Sequence, residues 1–186
     1  MRVSPSPENF SNANRPLQMV HVIDDWAGTT EARIRSKLRR LMDAGLGGIV
    51  VNVSLKTYLL DEQAWDVLRL GVRIAHEEGL RVWIYDEEGY PSGAAGGRVL
   101  EQAPSAEAQG LIRTADETGT VRYQVITLYE ATHATENFYK KRHYINILDP
   151  LATKTFIDVT HERYARVLDP IDRYVEAFFT DEPSLT

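Results

Sequence analysis

What most constrains this chain is a rhythm: short apolar runs alternate with stretches of helical period. The runs are residues 19–23, 48–53, 81–85 and 175–180. They are nearly continuous in apolar residues rather than alternating, and Ile49, Val50, Val51 and Val53 make the second rich in β-branching. Continuous runs suit parallel strands covered on both faces. Between the first two, residues 30–44 put Ile34, Leu38, Leu41 and Met42 on one helical face, and Gly45 fits the stop just past it. Asp61 is placed to cap a second helix. There Ala64, Val67, Leu68, Gly71, Ile74 and Ala75 face inward, and Gly79 ends it. Asp149-Pro150 opens a third helix with Asp as N-cap and Pro at the first helical position; Ala152, Phe156, Val159, Thr160 and Arg163 share its face.

The rhythm breaks once, after the third run. Residues 98–109 suggest a helix interrupted by Pro104. Residues 110–115 and 121–129 read as strands flanking the turn Asp116-Glu117-Thr118-Gly119, a hairpin extended by a polar loop to about residue 142. Residues 1–17, with three prolines and several Ser and Asn, read as an N-terminal arm.

Strand–helix alternation with short connections predicts right-handed βαβ units, so the fold class is α/β. An open doubly wound sheet and a (β/α)8 barrel both fit. No G-x-G-x-x-G opens the first helix, and Gly93-Ala94-Ala95-Gly96-Gly97 lacks the Lys-Ser/Thr of a phosphate loop. The expectation is therefore a partial TIM barrel. Strands 1–4 occupy residues 18–186, with a β-hairpin insertion (about 104–142) between strand 3 and helix 3. A complete barrel takes roughly 250 residues. The expected partner is thus the remainder of a longer chain, because an open half-barrel exposes two apolar edges.

Charge narrows the function. A formal net charge of −6 with no basic stripe argues against a nucleic-acid partner, and the densest basic run, Lys140-Lys141-Arg142, reads as a solvated loop. Cysteine is absent, which removes thiol nucleophiles and thiolate metal sites. There is no apolar signal core at the start and no run long enough to span a bilayer, so the expectation is an unexported, cytoplasmic chain with no membrane partner.

In a barrel the active site lies at the carboxyl ends of the strands. Those ends offer Asp24, Asp25 and Trp26; Asn52; Asp86, Glu87, Glu88 and Tyr90; Asp181 and Glu182. Sugar hydrolysis needs one carboxylic acid to protonate the leaving oxygen and a second carboxylate to activate water or attack. Aromatic rings stack on sugar faces, and carboxylates accept from hydroxyls. Each residue also has a plainer role. Asp24 and Asp25 can cap or turn, Trp26 can pack beneath a loop, and Asn52 can bond a neighbouring strand. Asp86-Glu87-Glu88 can be a solvated turn, although Gly89-Tyr90-Pro91-Ser92-Gly93 makes that loop tight. His143, at the end of the insertion, can meet substrate or serve as a structural hydrogen-bonding group. The five histidines are scattered, so no metal site and no cofactor are expected, with an oxygen-only calcium site left open.

The segment from Trp83 to Gly97 (WIYDEEGYPSGAAGG) resembles the third-strand region of bacterial glycoside hydrolases of the α-L-rhamnosidase type (family 106) and their relatives. Asn146-Ile147-Leu148-Asp149-Pro150, Thr160-His161-Glu162-Arg163-Tyr164 and Phe178-Phe179-Thr180-Asp181-Glu182-Pro183 are similar to what those proteins carry before and at their fourth strand. The resemblance implies a catalytic (β/α)8 domain followed by β-sandwich domains. It also implies a glycoside substrate and a general acid at Glu182, with the partner carboxylate on a later strand. Sugar-binding roles for Asp24, Asp25, Trp26, Asn52, Asp86, Glu87, Tyr90, His143 and Asp181 belong to the same expectation. Without that partner carboxylate the chain is expected to be inactive alone, and the alternative is a non-catalytic carbohydrate-binding or interaction module, or an inactive truncated fragment. A sugar isomerase or aldolase barrel is weaker, since the strands carry no lysine and the histidines do not cluster.

Overall fold

Four parallel strands are laid side by side in the order in which the chain makes them. The computed structural model describes residues 11–21, 26, 28–54, 57–128 and 143–183. The sheet contains β1 (Leu17–Val20), β2 (Gly48–Val51), β3 (Arg81–Tyr85) and, after an antiparallel hairpin of β4 (Gln109–Ala115) and β5 (Val121–Thr127), β6 (Ala177–Phe179), in the order β1-β2-β3-β6. The protein is therefore mixed α/β with a parallel sheet. The helices are α1 (Glu31–Asp43), α2 (Glu62–Glu77), α3 (Arg98–Gln102), α4 (Pro150–Val159), α5 (His161–Val167) and α6 (Ile171–Tyr174). The chain divides into two compact units, Met1–Glu88 with Arg163–Phe179, and Gly89–Glu162 with Thr180–Thr186.

In the first unit, register fixes which residues share a face. Val20, Val51, Ile84 and Phe178 stand level across the sheet, as do Met19, Val50, Trp83 and Ala177 on the opposite face. Ile49, Val51, Val82 and Ile84 are at most 1% exposed, whereas Leu17, Met19 and Trp83 are half-buried. Most of the expected inward residues are buried: Ile34 and Leu38 on α1; Ala64, Leu68, Gly71, Ile74 and Ala75 on α2, joined by Trp65 and Val72, while Leu41, Met42 and Val67 are only half-buried. Asp61 caps α2 by accepting from Gln63 N at 2.9 Å.

Three boundaries differ from the sequence expectation. The first strand is formed by Leu17–Val20, and Asn12–Asn14 form a 3-10 turn rather than a structureless arm. Asn12 donates to Gly79 O, and Arg81 donates to Asn12 O and Ala13 O, so this segment is tied down. The expected start was late because exposed Gln18 interrupts the apolar pattern; among the described residues β1 pairs only with β2. The last strand is only Ala177–Phe179, because Val175 N bonds Ile171 O and closes α6 instead. The helix after Asp149 stops at Thr160, whose hydroxyl donates to Phe156 O at 2.6 Å, and α5 restarts at His161.

The second unit holds the hairpin, α3 and α4. Pro104 ends α3 as expected: Ala103 before it sits at φ −132°, ψ 70°, outside the helical region, and a 3-10 turn follows. Asp116 Oδ1 organises the hairpin turn by accepting from Thr118 N, Thr118 Oγ1 and Thr120 N. Asp149 accepts from Leu151 N and caps α4.

α1 and α2 are also joined by ion pairs. Arg35 reaches Glu31, Glu77 and Glu78, and Arg39 Nε lies 2.6 Å from Glu78 Oε2. Hydrogen bonds from Arg39 and then Arg35 hold the Glu78 carboxyl down to about 2. Since the folded value is depressed, its stabilisation is present above the ordinary glutamate range and fades as pH falls toward 2. Arg39→Ala is expected to move the Glu78 midpoint upward, read by carboxyl carbon NMR. An unmoved midpoint would assign the effect to Arg35 alone. Trp65, 1% exposed, is expected to cost about 3–5 kcal/mol on change to Ala, measured by urea unfolding.

Candidate functional site

Register puts Asn52 beside the end of β3. Val51 pairs with Ile84, so the next residue of β2 stands level with Tyr85, one before the acidic run. Asn52 is fully buried, and its Nδ2 donates to Glu87 O at 3.0 Å and more distantly to Glu88 O at 3.4 Å. The neighbouring-strand role is therefore real for its amide nitrogen. Its Oδ1 is buried and has no hydrogen-bond partner among the described residues, a state that costs about 1–3 kcal/mol.

Asp86 and Glu87 are both fully buried, so this part of the loop is not a solvated turn. Carboxylates are rarely that deep unless they are partnered. Glu87 Oε1 accepts from Glu88 N at 2.9 Å, and Asp86 N donates to Phe179 O, extending the β3–β6 ladder. Two tyrosines stand beside them. Tyr58 donates to Asp86 O at 2.8 Å, and Tyr164 accepts from Val53 N at 2.9 Å. Burial pushes both phenols up, and the negative charges of Glu87 and Asp86 add to the effect. Both therefore remain protonated donors throughout the neutral range. Trp26 is 5% exposed and has little surface to offer a ligand. Asp24 and Asp25, like the basic run Lys140-Lys141-Arg142, lie outside the described residues.

In the second unit, Ser92 is the organising residue. It is fully buried; its Oγ accepts from Asp181 N at 2.9 Å, its N donates to Asp181 O at 2.8 Å, and its O accepts from Tyr144 Oη at 2.5 Å. Gly93, at φ +134°, leaves room for that tyrosine, since a Cβ would lie 3.0 Å from Tyr144 Oη. Tyr90 and Asp181 are half-buried, and Glu182 is exposed. Its backbone is unusual: φ is +37°, immediately before Pro183. A non-glycine residue there is strained by roughly 1–3 kcal/mol, and such strain collects at functional sites. His143 pairs through Nδ1 with Glu107 Oε1 in a cleft also lined by Gly97, Leu100, Glu101 and Pro104.

The structure thus joins Asn52 with Asp86 and Glu87 in one unit, and places Ser92 with Asp181 in the other. Sequence reasoning passed over Tyr58, Ser92 and Tyr164. Only Ser92 carried a local signal, its place in the tight loop; the tyrosines are brought in by contacts remote along the chain. Among the described residues, no group of three or more His, Cys, Asp or Glu is arranged to hold a metal ion, and no helix is long and apolar enough to cross a membrane. No family model, curated protein or solved structure matches the chain.

Ser92→Ala removes the acceptor of Asp181 N. It is expected to destabilise the protein by about 1–3 kcal/mol and to speed hydrogen exchange at the Asp181 amide. Unchanged exchange in the folded variant would show that the bond does not hold that segment.

Proposed function

We propose that the chain is the N-terminal half of a (β/α)8 glycoside hydrolase domain. Asp86, Glu87, Asn52 and Tyr90 would contact sugar, and Glu182 would be the candidate general acid. The observation that carries this reading is the fully buried pair Asp86 and Glu87, just beyond the carboxyl end of a parallel strand. Open and closed parallel sheets alike bind ligands at that end. Buried ionisable groups there cost stability, and a binding role accounts for keeping them.

Strand order supports the barrel over a doubly wound sheet. A doubly wound sheet reverses direction at a switch point, whereas β1-β2-β3-β6 runs one way across the four strands. The resemblance of residues 83–97 to the α-L-rhamnosidase type supplies the substrate class. The chemistry is protonation of a glycosidic oxygen by one carboxylic acid, with a second carboxylate from the remainder of the barrel. The alternative, a carbohydrate-binding module without turnover, is favoured by the exposure of Glu182. An acid that protonates a leaving group is usually kept from water.

Calorimetry of the purified chain against plant and bacterial oligosaccharides tests binding, and Glu182→Gln in a chain extended through the rest of the barrel tests the acid. The expected outcome is saturable binding by this chain and a loss of aryl-glycoside turnover by roughly 10²-fold or more in the variant. Turnover unchanged at every pH would remove Glu182 as the acid. Binding without turnover in the extended parent would select the module.

A further inference from the structure

We infer that the second unit carries a ligand site of its own, in which Glu107 accepts from the hydroxyls of a sugar ring and His143 is the positioning residue that holds its carboxylate. The site is the cleft of about 420 Å³ that these two residues line with Gly97, Leu100, Glu101 and Pro104. The ligand class is read from the cleft's own chemistry and does not rest on the glycosidase reading.

A pair of polar side chains on a surface is usually loose, because two flexible groups must be held in one geometry. Here the backbone brings them together. Glu107 forms an antiparallel bridge with Ile145, Ala108 N donates to Tyr144 O at 2.8 Å, and Asn146 N donates to Ala106 O at 2.7 Å. His143 lies two residues from Ile145, which makes it a diagonal neighbour of Glu107 on the same face. The next residue, Tyr144, is anchored in turn by its hydroxyl on Ser92 O. A carboxylate only accepts, so His143 Nδ1 donates to Glu107 Oε1.

That bond occupies one of the two carboxylate oxygens. Among the described residues Glu107 Oε2 takes no hydrogen bond, and no arginine or lysine pairs with Glu107. The Glu107 side chain is 28% exposed, so it is reachable yet partly withdrawn from water. The other carboxylate of the cleft, Glu101, is met by Arg98 at 2.6 Å through Oε2. The cleft thus presents acceptor oxygens beside an apolar wall of Leu100 and Pro104, and its volume falls within the roughly 300–1,000 Å³ of small-molecule sites. A sugar ring has both matching surfaces: hydroxyls that donate to carboxylates, and C–H groups that lie against an apolar wall. An alkylammonium also donates, but the positive charge of Arg98 opposes a cation and leaves a neutral ligand unaffected.

Amide NMR shifts of Leu100 and Glu107 in the purified chain read the site, under titration with the methyl glycosides of L-rhamnose and D-glucose and, separately, with butylammonium. The expected result is a saturable shift with at least one glycoside while the amides of α1 stay put. Glu107→Gln removes the charge and keeps the shape, and weakens that binding about tenfold or more. His143→Ala weakens it roughly threefold or more, and His143→Gln, whose amide can donate to Glu107, restores most of the loss. No saturable shift with either glycoside up to its solubility limit overturns the site, and so does saturation by butylammonium alone. Parent-like affinity in folded Glu107→Gln overturns the acceptor role. Parent-like affinity in His143→Ala, or no recovery in His143→Gln, overturns the positioning role. If a variant does not fold, the titration of the parent chain still decides whether the site exists. Asp86 and Glu87 are followed in the same titrations. A response there with none at Leu100 and Glu107 removes this site and leaves the glycosidase reading standing, so the two failures are told apart.

Discussion

The first unit depends on how closely β1, β2 and β3 approach one another at Gly48. Gly48 pairs with Leu17 on one side and Arg81 on the other. A Cβ built there would lie 2.2 Å from Arg81 O and 2.6 Å from Leu17 Cδ2, distances no real side chain shows. The first contact is with backbone inside a hydrogen-bonded sheet, so it cannot be relieved by a rotamer change. Gly47 is as tightly placed, with a Cβ 2.5 Å from Asn12 O. These glycines fix the register, and since a slip of one residue would turn every side chain to the other face, they also fix the site. Asn52 reaches Glu87 O only because Val51 stands level with Ile84.

The α/β class and the order of strands and helices were largely legible because they rest on local signals. Apolar runs, Asp61 and Asp149 as caps, and Pro104 as a stop each act within a turn or two of chain. The differences arise where tertiary pairing decides. Val175 belongs to an apolar run, yet its N–H is spent on Ile171 O, so bonding to β3 starts only at Glu176, whose N donates to Val82 O. Thr160 lies on the helical face suggested by periodicity. Its hydroxyl bonds back to Phe156 O, and the helix breaks there. Periodicity reports burial and is blind to a side chain that competes with the backbone for a carbonyl.

The site was legible as a set of residue types at strand ends but not as an environment. Asp86-Glu87-Glu88 and Asp181-Glu182 look alike in sequence: acidic runs after apolar ones. Folding separates them. Asp86 and Glu87 are fully buried, while Glu182 is exposed with its backbone at positive φ. Nothing in either run announces this, because the partners of the buried run, Asn52 and Tyr58, lie tens of residues away along the chain. Tyr164 lies 111 residues from the amide it accepts from. No local pattern carries such a pairing.

The two acidic runs are also held by different physics, which bears on what each can do. Asp86-Glu87-Glu88 is fixed from outside, by the buried side chains of Tyr58 and Asn52, which donate to its carbonyls. Asp181-Glu182 is fixed through its backbone, by the reciprocal bonds of Asp181 with Ser92 and by Pro183, while the Glu182 side chain stays in contact with solvent. A solvent-facing carboxyl on a strained, well-anchored backbone has freedom in its side chain and little in its main chain.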